Sequence, residues 1–154
     1  IAKVKGVKRI RYTSPHPKDF NDDLLKVMKK YDNICNYIHM PLQAGSDNIL
    51  KKMNRNYTKR EFLDLVNMIR KHIPNCSITT DIIVGFPGET ESDFNETLDM
   101  MKNVKFNFSY MFKYSSRPGT KASEYDNQID EDIKQDRLER LINLQTKIRL
   151  QQLV

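Results

Sequence analysis

The sequence predicts an α/β fold in which about four mostly parallel strands form part of a (β/α) barrel with outer helices. Strand-like and amphipathic helical segments alternate along the 154 residues, as they do in consecutive βα units. Such units build parallel sheets through right-handed crossovers. Each predicted strand has one apolar face and one mixed polar face, which favours a curved sheet with helices on its outer side only.

Alternating apolar residues that end at prolines or glycines predict the strands. The strands cover residues 8–14, 36–43, 77–85 and 106–115. Apolar residues at helical spacing predict five helices. The helices cover residues 20–31, 49–53, 58–73, 90–101 and 130–148. Thr58 and Glu61 match a capping box, and Thr90 and Asp130 are suited to cap later helices.

Side chains alternate along a strand, so each predicted strand divides into two faces. The inner faces are expected to carry polar groups, which need partners when they are buried. These groups are Arg11, His39, Gln43, Asp81 and Lys113. The aromatic residues of the last strand are assigned to the opposite face. A polar ligand in the enclosed pocket would satisfy the inner groups.

Structural roles compete with this interpretation. Asp81 could pair with Arg11 or Lys113 as an internal ion pair, and His39 alone is more typical of a structural residue. Gly85 and Gly88 could let the backbone pass close to a ligand at the carboxyl ends of the strands. They could equally form an ordinary turn, because the phosphate-loop pattern is absent here.

Composition narrows the function classes. The formal charge of +6 suits a polyanionic partner such as RNA, although many basic proteins bind no nucleic acid. No apolar run is long enough to span a bilayer and no signal peptide opens the chain, so a cytoplasmic location is expected. Cys35 and Cys76 do not have the spacing of a zinc, redox or iron–sulfur motif, so no metal ligand is assigned.

Four strings in a fixed order carry a family resemblance. They are RIRYTSPHP, HMPLQAGSDNILKKMNRNYT, TTDIIVGFPGETESDF and FKYSSRPGTKA. With them the chain resembles the radical S-adenosylmethionine (SAM) methylthiotransferases over residues 1 to 152. The resemblance implies that residues 1–154 are the C-terminal portion of a radical-SAM domain. The N-terminal iron–sulfur domain, the CxxxCxxC segment and the RNA-binding TRAM domain of the family are absent from this chain.

The resemblance also implies an activity. The parent protein would add a methylthio group to carbon 2 of N6-dimethylallyladenosine beside the anticodon of tRNA. It would use SAM, two [4Fe–4S] clusters and an electron donor. This chain lacks the cluster ligands, so no catalytic residue is assigned and the chain alone is expected to be inactive. The alternatives are a sister enzyme acting on threonylcarbamoyladenosine or a ribosomal-protein aspartate, and a noncatalytic SAM- or RNA-binding module.

Site residues follow from the same resemblance. Gln43 and Ser46 match the position that meets the ribose of SAM, and Ile83 with Gly85 matches the strand end that packs on adenine. The stretch from Phe112 to Tyr114 matches a backbone contact to adenine. Asp81 and Lys113 are expected to line the cofactor side of the pocket. The family often has serine where this chain has Ala44, so no role is assigned to position 44.

Substrate contacts and self-association complete the expectations. Arg11, His39 and Arg117 are candidate substrate contacts, the two arginines for a phosphate or carboxylate group. Self-association is expected through the exposed edge of the strand at residues 8–14 or through the apolar face of the last helix.

Overall fold

Three parallel strands form the sheet of the computed structural model, which describes residues 1–12 and 16–152 except for the side chain of Asp19. The strands are β1 (Tyr37–His39), β2 (Ser77–Val84) and β3 (Phe108–Lys113), in that spatial order. The helices are α1 (Asp22–Lys30), α2 (Asp47–Lys52), α3 (Lys59–His72), α4 (Glu91–Val104) and α5 (Glu131–Gln152). Single 3₁₀ turns occupy Pro17–Asp19 and Lys121–Glu124.

The predicted first strand is reduced to a single bridge in the described residues. Ile10 N donates to Asn33 O at 2.7 Å, and Cys35 N donates to Ile10 O at 3.0 Å. Residues 32 and 33 form a turn, so the neighbouring segment offers no extended ladder to pair with. The prediction of a strand over 8–14 was therefore wrong for residues 8–12, while residues 13–15 lie outside the described part of the chain.

Local capping begins two of the helices as the sequence predicts. Thr58 and Glu61 exchange hydrogen bonds at the start of α3, and Thr90 and Asp93 do the same at the start of α4. Both are capping boxes, in which each side chain satisfies a backbone N–H of the first helical turn. The caps fix where α3 begins after α2 and where α4 begins after the turn that follows β2.

The core lies between the sheet and helices α3 and α4. Ile38, Ile78 and Ile82 point from the sheet into this layer and are fully buried. They meet side chains that are equally buried, among them Phe62 from α3 and Phe94 from α4. The apolar faces predicted for β1 and β2 are therefore the faces that the helices cover.

The face assignment for β3 was wrong. In the parallel register Asp81 lies opposite Tyr110 and Ile83 lies opposite Phe112, so the aromatic residues share the open face with Asp81. Lys113 lies opposite Val84 and shares the helix-covered face. The reason is that α5 docks on this strand through polar contacts, which lets the helix side of β3 be polar. Ser109, for example, donates to Gln145 of α5 at 2.8 Å.

Of the helices that the structure describes, none combines the length and the apolar character that a bilayer crossing requires.

Replacing Gly45 by alanine is predicted to destabilise the fold strongly. A Cβ at this position would lie 2.4 Å from Thr97 Cα and 2.7 Å from Glu96 O, and backbone atoms inside α4 cannot move aside cheaply. We expect a loss of about 3 kcal/mol in the free energy of unfolding, the upper range for overpacking. Urea unfolding followed by circular dichroism measures it.

Gly119→Ala is the control for this measurement. Its added Cβ has open space around it, so only the positive φ of 81° opposes the substitution. We expect a loss of about 1 kcal/mol there. Equal losses for the two variants would show that the close approach of Gly45 to α4 is not what limits this position.

Candidate functional site

A cleft of about 970 Å³ opens at the carboxyl ends of the three strands. Gln43 follows β1, while Ile83 and Phe112 are the next-to-last residues of β2 and β3, and all three line it. The far wall is formed by residues 51–55 around the end of α2 and by residues 114–125 after β3. Parallel sheets of this type bind ligands at this end, which makes the cleft the candidate site.

Aromatic and aliphatic side chains form the floor of the cleft. Phe86 and Tyr114 pack edge to face with ring centroids 5.1 Å apart, and Tyr125 packs on Phe86 at 6.4 Å. Ile83 and Phe112 continue this surface along the strands. A planar apolar group could therefore lie against the strand ends.

Two polar groups on the wall lack a hydrogen-bond partner in the described residues. The Tyr114 hydroxyl is buried without one. The side-chain amide of Gln43 makes no hydrogen bond to the described residues, although Gln43 is only 8% exposed. Buried polar groups are normally paired, so the Tyr114 hydroxyl indicates a ligand that would complete it, and the Gln43 amide, whose atoms are not fully buried, lies where it could meet the same ligand.

The backbone holds Gln43 in an unusual conformation. Its φ is +70°, in the left-handed region that non-glycine residues rarely adopt. Gln43 N donates to Asp81 O at 2.8 Å, and Ile83 N donates to Gln43 O at 2.9 Å. Pairing to β2 therefore offsets the strain and holds the amide side chain at the cleft wall.

Ser46 lies away from the cleft lining. Its hydroxyl is buried and donates to Asp93 Oδ1 at 2.5 Å. Asp93 also accepts from Asn48 and from Thr90. Burial raises the pKa of Asp93, but these donated hydrogen bonds outweigh it and hold the pKa below its ordinary value. Ser46 thus joins the loop after Gln43 to the cap of α4.

His39 and Asp81 meet on the open face of the sheet. His39 Nε2 lies 3.2 Å from Asp81 Oδ2, and it must donate because a carboxylate only accepts. His39 Nδ1 lies 2.9 Å from Thr79 Oγ1, which is itself 2.9 Å from the Tyr37 hydroxyl. The partner of Asp81 is therefore His39, and neither Arg11 nor Lys113 forms the ion pair that the sequence allowed.

The three predicted cationic residues lie in different places. The Arg11 guanidinium lies over the Tyr37 ring at 5.0 Å, and Arg11 is not among the residues that line the cleft. Lys113 Nζ donates to Glu131 and to Gln135 of α5, at the edge of the cleft. Arg117 is exposed and lines the outer rim.

The rim of the cleft is strongly basic. Six of its lining residues are cationic and none is acidic. Lys113 is paired with Glu131, and Lys52 donates to Gly88 O at 3.2 Å. The other four cations form no ion pair with the described residues. They are Lys51, Arg55, Arg117 and Lys121.

A family model described as the radical SAM superfamily matches residues 1–101. The chain belongs to the radical SAM superfamily. This confirms the superfamily to which the resemblance carried by the sequence motifs belongs.

Curated relatives within the superfamily extend the similarity over nearly the whole chain. The tRNA-2-methylthio-N(6)-dimethylallyladenosine synthase of Thermoanaerobacter sp. (strain X514) is 52% identical over 148 residues, 96% of this chain and 31% of that protein. The synthase of the same name from Clostridium tetani is 48% identical, over 96% of this chain and 32% of that protein. The one from Corynebacterium glutamicum (strain ATCC 13032) is 50% identical, over 94% and 28%. The chain thus spans about a third of the length of these relatives.

A solved radical SAM structure supports the fold. Coproporphyrinogen III oxidase from Escherichia coli, described as a radical SAM enzyme, aligns with a TM-score of 0.72 and 22% identity. The alignment covers 88% of this chain and 31% of that chain. The predicted α/β class with parallel strands and outer helices is confirmed, with three strands in the described residues in place of about four.

The residues of the cleft fit the nucleoside part of SAM. The aromatic floor suits adenine, and the unpaired Gln43 amide suits ribose hydroxyls. They do not fit an iron–sulfur cluster. Cys76 is buried, and its burial raises the pKa of the thiol to about 11. Within the described residues no three histidine, cysteine or acidic side chains converge on one point.

Several residues of the site escaped the sequence analysis. Phe86, Tyr125, Lys51, Arg55 and Lys121 were not predicted to belong to it. The string KKMNR, with three cations in five residues after a predicted strand, was the available signal for the rim. Phe86 lies between Gly85 and Pro87 in the glycine turn, where an aromatic residue could have indicated a ligand wall.

Proposed function

We propose that this chain is the C-terminal part of the radical-SAM domain of a tRNA methylthiotransferase. The whole protein would add a methylthio group to carbon 2 of N6-dimethylallyladenosine in tRNA, in the cytoplasm, where tRNA is modified. One observation carries the proposal. Gln43, Ile83 and Arg117 surround one cleft in a chain that is 48–52% identical to relatives named for this product.

On the cofactor side, the proposed ligand is SAM. Gln43 would donate to or accept from its ribose hydroxyls, while Ile83 and the Gly85 turn would pack on its adenine. Asp81 has one carboxylate oxygen engaged by His39 and is not among the residues that line the cleft, so it would meet only a part of the ligand that extends onto the open face of the sheet. When bound, SAM would supply both the radical and the methyl group. Ser46 and Lys113 would act indirectly, because their polar atoms are already engaged.

We assign the delivery of the electron to groups outside this chain. Neither Cys35 nor Cys76 fits the [4Fe–4S] clusters that the family resemblance implies, so no step of electron transfer is assigned to this chain. We propose that the ligands of two such clusters belong to other segments of a longer protein, which would also need an electron donor.

On the substrate side, the basic rim is the proposed contact for RNA. Phosphates bind lysine and arginine side chains, and four rim cations have no carboxylate partner in the described residues. Arg117 belongs to this group. His39 packs against Tyr110 of β3 and Arg11 packs over Tyr37. Both would contact a nucleotide that lies on the open face of the sheet.

The decisive test of the proposed function uses the longer protein, reconstituted with iron and sulfide and supplied with SAM. We expect 2-methylthio-N6-dimethylallyladenosine in nucleoside digests of dimethylallyladenosine-containing tRNA, detected by mass spectrometry. Ile83→Asp should abolish the product, because it places a carboxylate against the proposed adenine. Asn67→Asp, which adds the same charge at an exposed position of α3, is the control. Product on threonylcarbamoyladenosine tRNA or on a ribosomal-protein aspartate, and none on the first substrate, would refute the substrate assignment.

The basic rim predicts salt-dependent RNA binding by this chain. Neutralising Arg55 and Lys121 together with glutamine should weaken binding of a labelled single-stranded RNA about tenfold at moderate salt. The slope of log K against log salt should fall by about 1.4, because each lost phosphate contact contributes about 0.7 on single strands. Fluorescence anisotropy across a salt series measures both.

Lys29 and Lys71 provide the matched control for that series. Both are exposed, lie on α1 and α3, and do not line the cleft. Their double substitution by glutamine removes the same net charge. An equal effect from the two double variants would show that the rim contributes only general positive charge and makes no specific contact with RNA.

We also propose self-association of this chain. Ile133, Ile142 and Leu150 of α5 are 43%, 43% and 59% exposed. Ile142 and Leu150 lie on the same side of the helix, and burying them against a second copy would be favourable because apolar burial contributes about 25 cal/mol per Å². Light scattering should show a mass that rises with concentration, and a constant monomer mass would contradict this.

A further inference from the structure

Three side chains on one face of α5 contact the turn between β2 and α4. Lys134, Arg137 and Arg140 follow one another at helical spacing and all reach this turn. Lys134 packs so closely on Gly85 that an added Cβ would lie 2.3 Å from Lys134 Cγ. Arg140 Nη2 donates to Glu91 Oε1 at 2.6 Å at the far end of the turn.

Between these two contacts lies a buried ion pair. Arg137 Nη1 donates to Glu89 Oε2 at 2.8 Å and to Glu89 O at 3.0 Å. The side chains of Arg137 and Glu89 are 5% and 1% exposed. The same Glu89 oxygen accepts from Gly85 N at 2.7 Å, so Arg137, Glu89 and Gly85 form one chain of contacts.

The location of this chain connects α5 to the cleft. Gly85 has a φ of +71°, a conformation open to glycine, and the carboxylate of Glu89 anchors its amide. Ile83 and Phe86, on either side of Gly85, both line the cleft. Any change in the conformation of Gly85 would therefore move the side chains of Ile83 and Phe86.

Stability alone does not account for a pair placed this way. A buried ion pair is a weak source of folding energy, because desolvation offsets the attraction between the charges. Burial also raises the pKa of Glu89, although the Gly85 amide and Arg137 oppose this. Arg137 Nε is buried, lies 3.7 Å from Glu91 Oε2 and forms no hydrogen bond with the described residues. In some proteins such a pair fixes one geometry of the groups around it, and the contacts of Glu89 with Gly85 N and Arg137 are suited to that role.

We propose that Glu89 and Arg137 are positioning residues that hold the Gly85 turn in the shape that binds SAM. Through them the last helix, α5, sets the affinity of the cleft for the adenine of SAM. This inference rests on the proposed function, since it takes SAM as the ligand of the cleft.

The test combines amide hydrogen exchange with SAM binding in this chain, both followed by NMR. Arg137→Met retains the aliphatic length and removes the charge. We expect the Gly85 amide to exchange at least tenfold faster, while the core amides of Val66 and Ile69 in α3 change much less. The dissociation constant for SAM, measured from the shifts of Gly85 and Phe86, should rise about tenfold. Arg149→Met, at an exposed position of α5 twelve residues beyond Arg137, should leave both quantities within a factor of two.

The outcomes distinguish a failure of this inference from a failure of the proposed function. A uniform acceleration at Gly85, Val66 and Ile69 would show a purely structural role and overturn the inference. So would a SAM affinity that does not change when the Gly85 amide is released. If Arg137→Met does not fold, Arg137→Lys is the second variant, and it should give the same local effect at smaller size. A wild-type chain that binds no SAM at all would overturn the proposed function, while Gly85 exchange would still decide whether the pair holds the turn.

Discussion

The alternation of side chains along β2 determines which strand residues face the candidate site and which face the helices. This strand pairs with β1 on one side and with β3 on the other, so its register is transmitted to both. Ile78 and Ile82 are fully buried against the helices, which forces Asp81 and Ile83 onto the open face. A shift by one residue would exchange the two sets, and burying the carboxylate of Asp81 among apolar side chains would be very costly.

The same constraint explains which parts of the site the sequence could predict. Gln43, Asp81 and Ile83 follow strands with clear apolar alternation, so their faces could be deduced from the pattern alone. The helices with capping boxes at Thr58 and Thr90 were also predictable, because the capping signal is local. These features depend on residues two or three apart in the sequence.

The face of β3 could not be deduced in this way. Alternation shows that Phe108, Tyr110 and Phe112 share a face, but it does not show which face the helices cover. The sequence analysis took the aromatic face as the buried one, as apolar residues usually are. Here α5 approaches β3 with Gln145, which also donates to Phe106 O at 3.1 Å, so the polar side of the strand is covered. The contact between Arg137 and Glu89 joins residues that are 48 apart in sequence, so no local pattern could have predicted it either.

Polar contacts behind the cleft therefore matter as much as the groups inside it. Asp93 caps α4 through Thr90 and also accepts from Ser46, and so ties the loop after Gln43 to the helix after Gly85. Glu89 ties the Gly85 turn to α5. Each carboxylate is buried and accepts more than one hydrogen bond, so neither can move without leaving a donor unpaired. The two walls of the cleft, one at Gln43 and one at Gly85, are thus held from behind by separate acids. A ligand between them meets surfaces whose positions are fixed before it binds, which lowers the entropy that binding must offset.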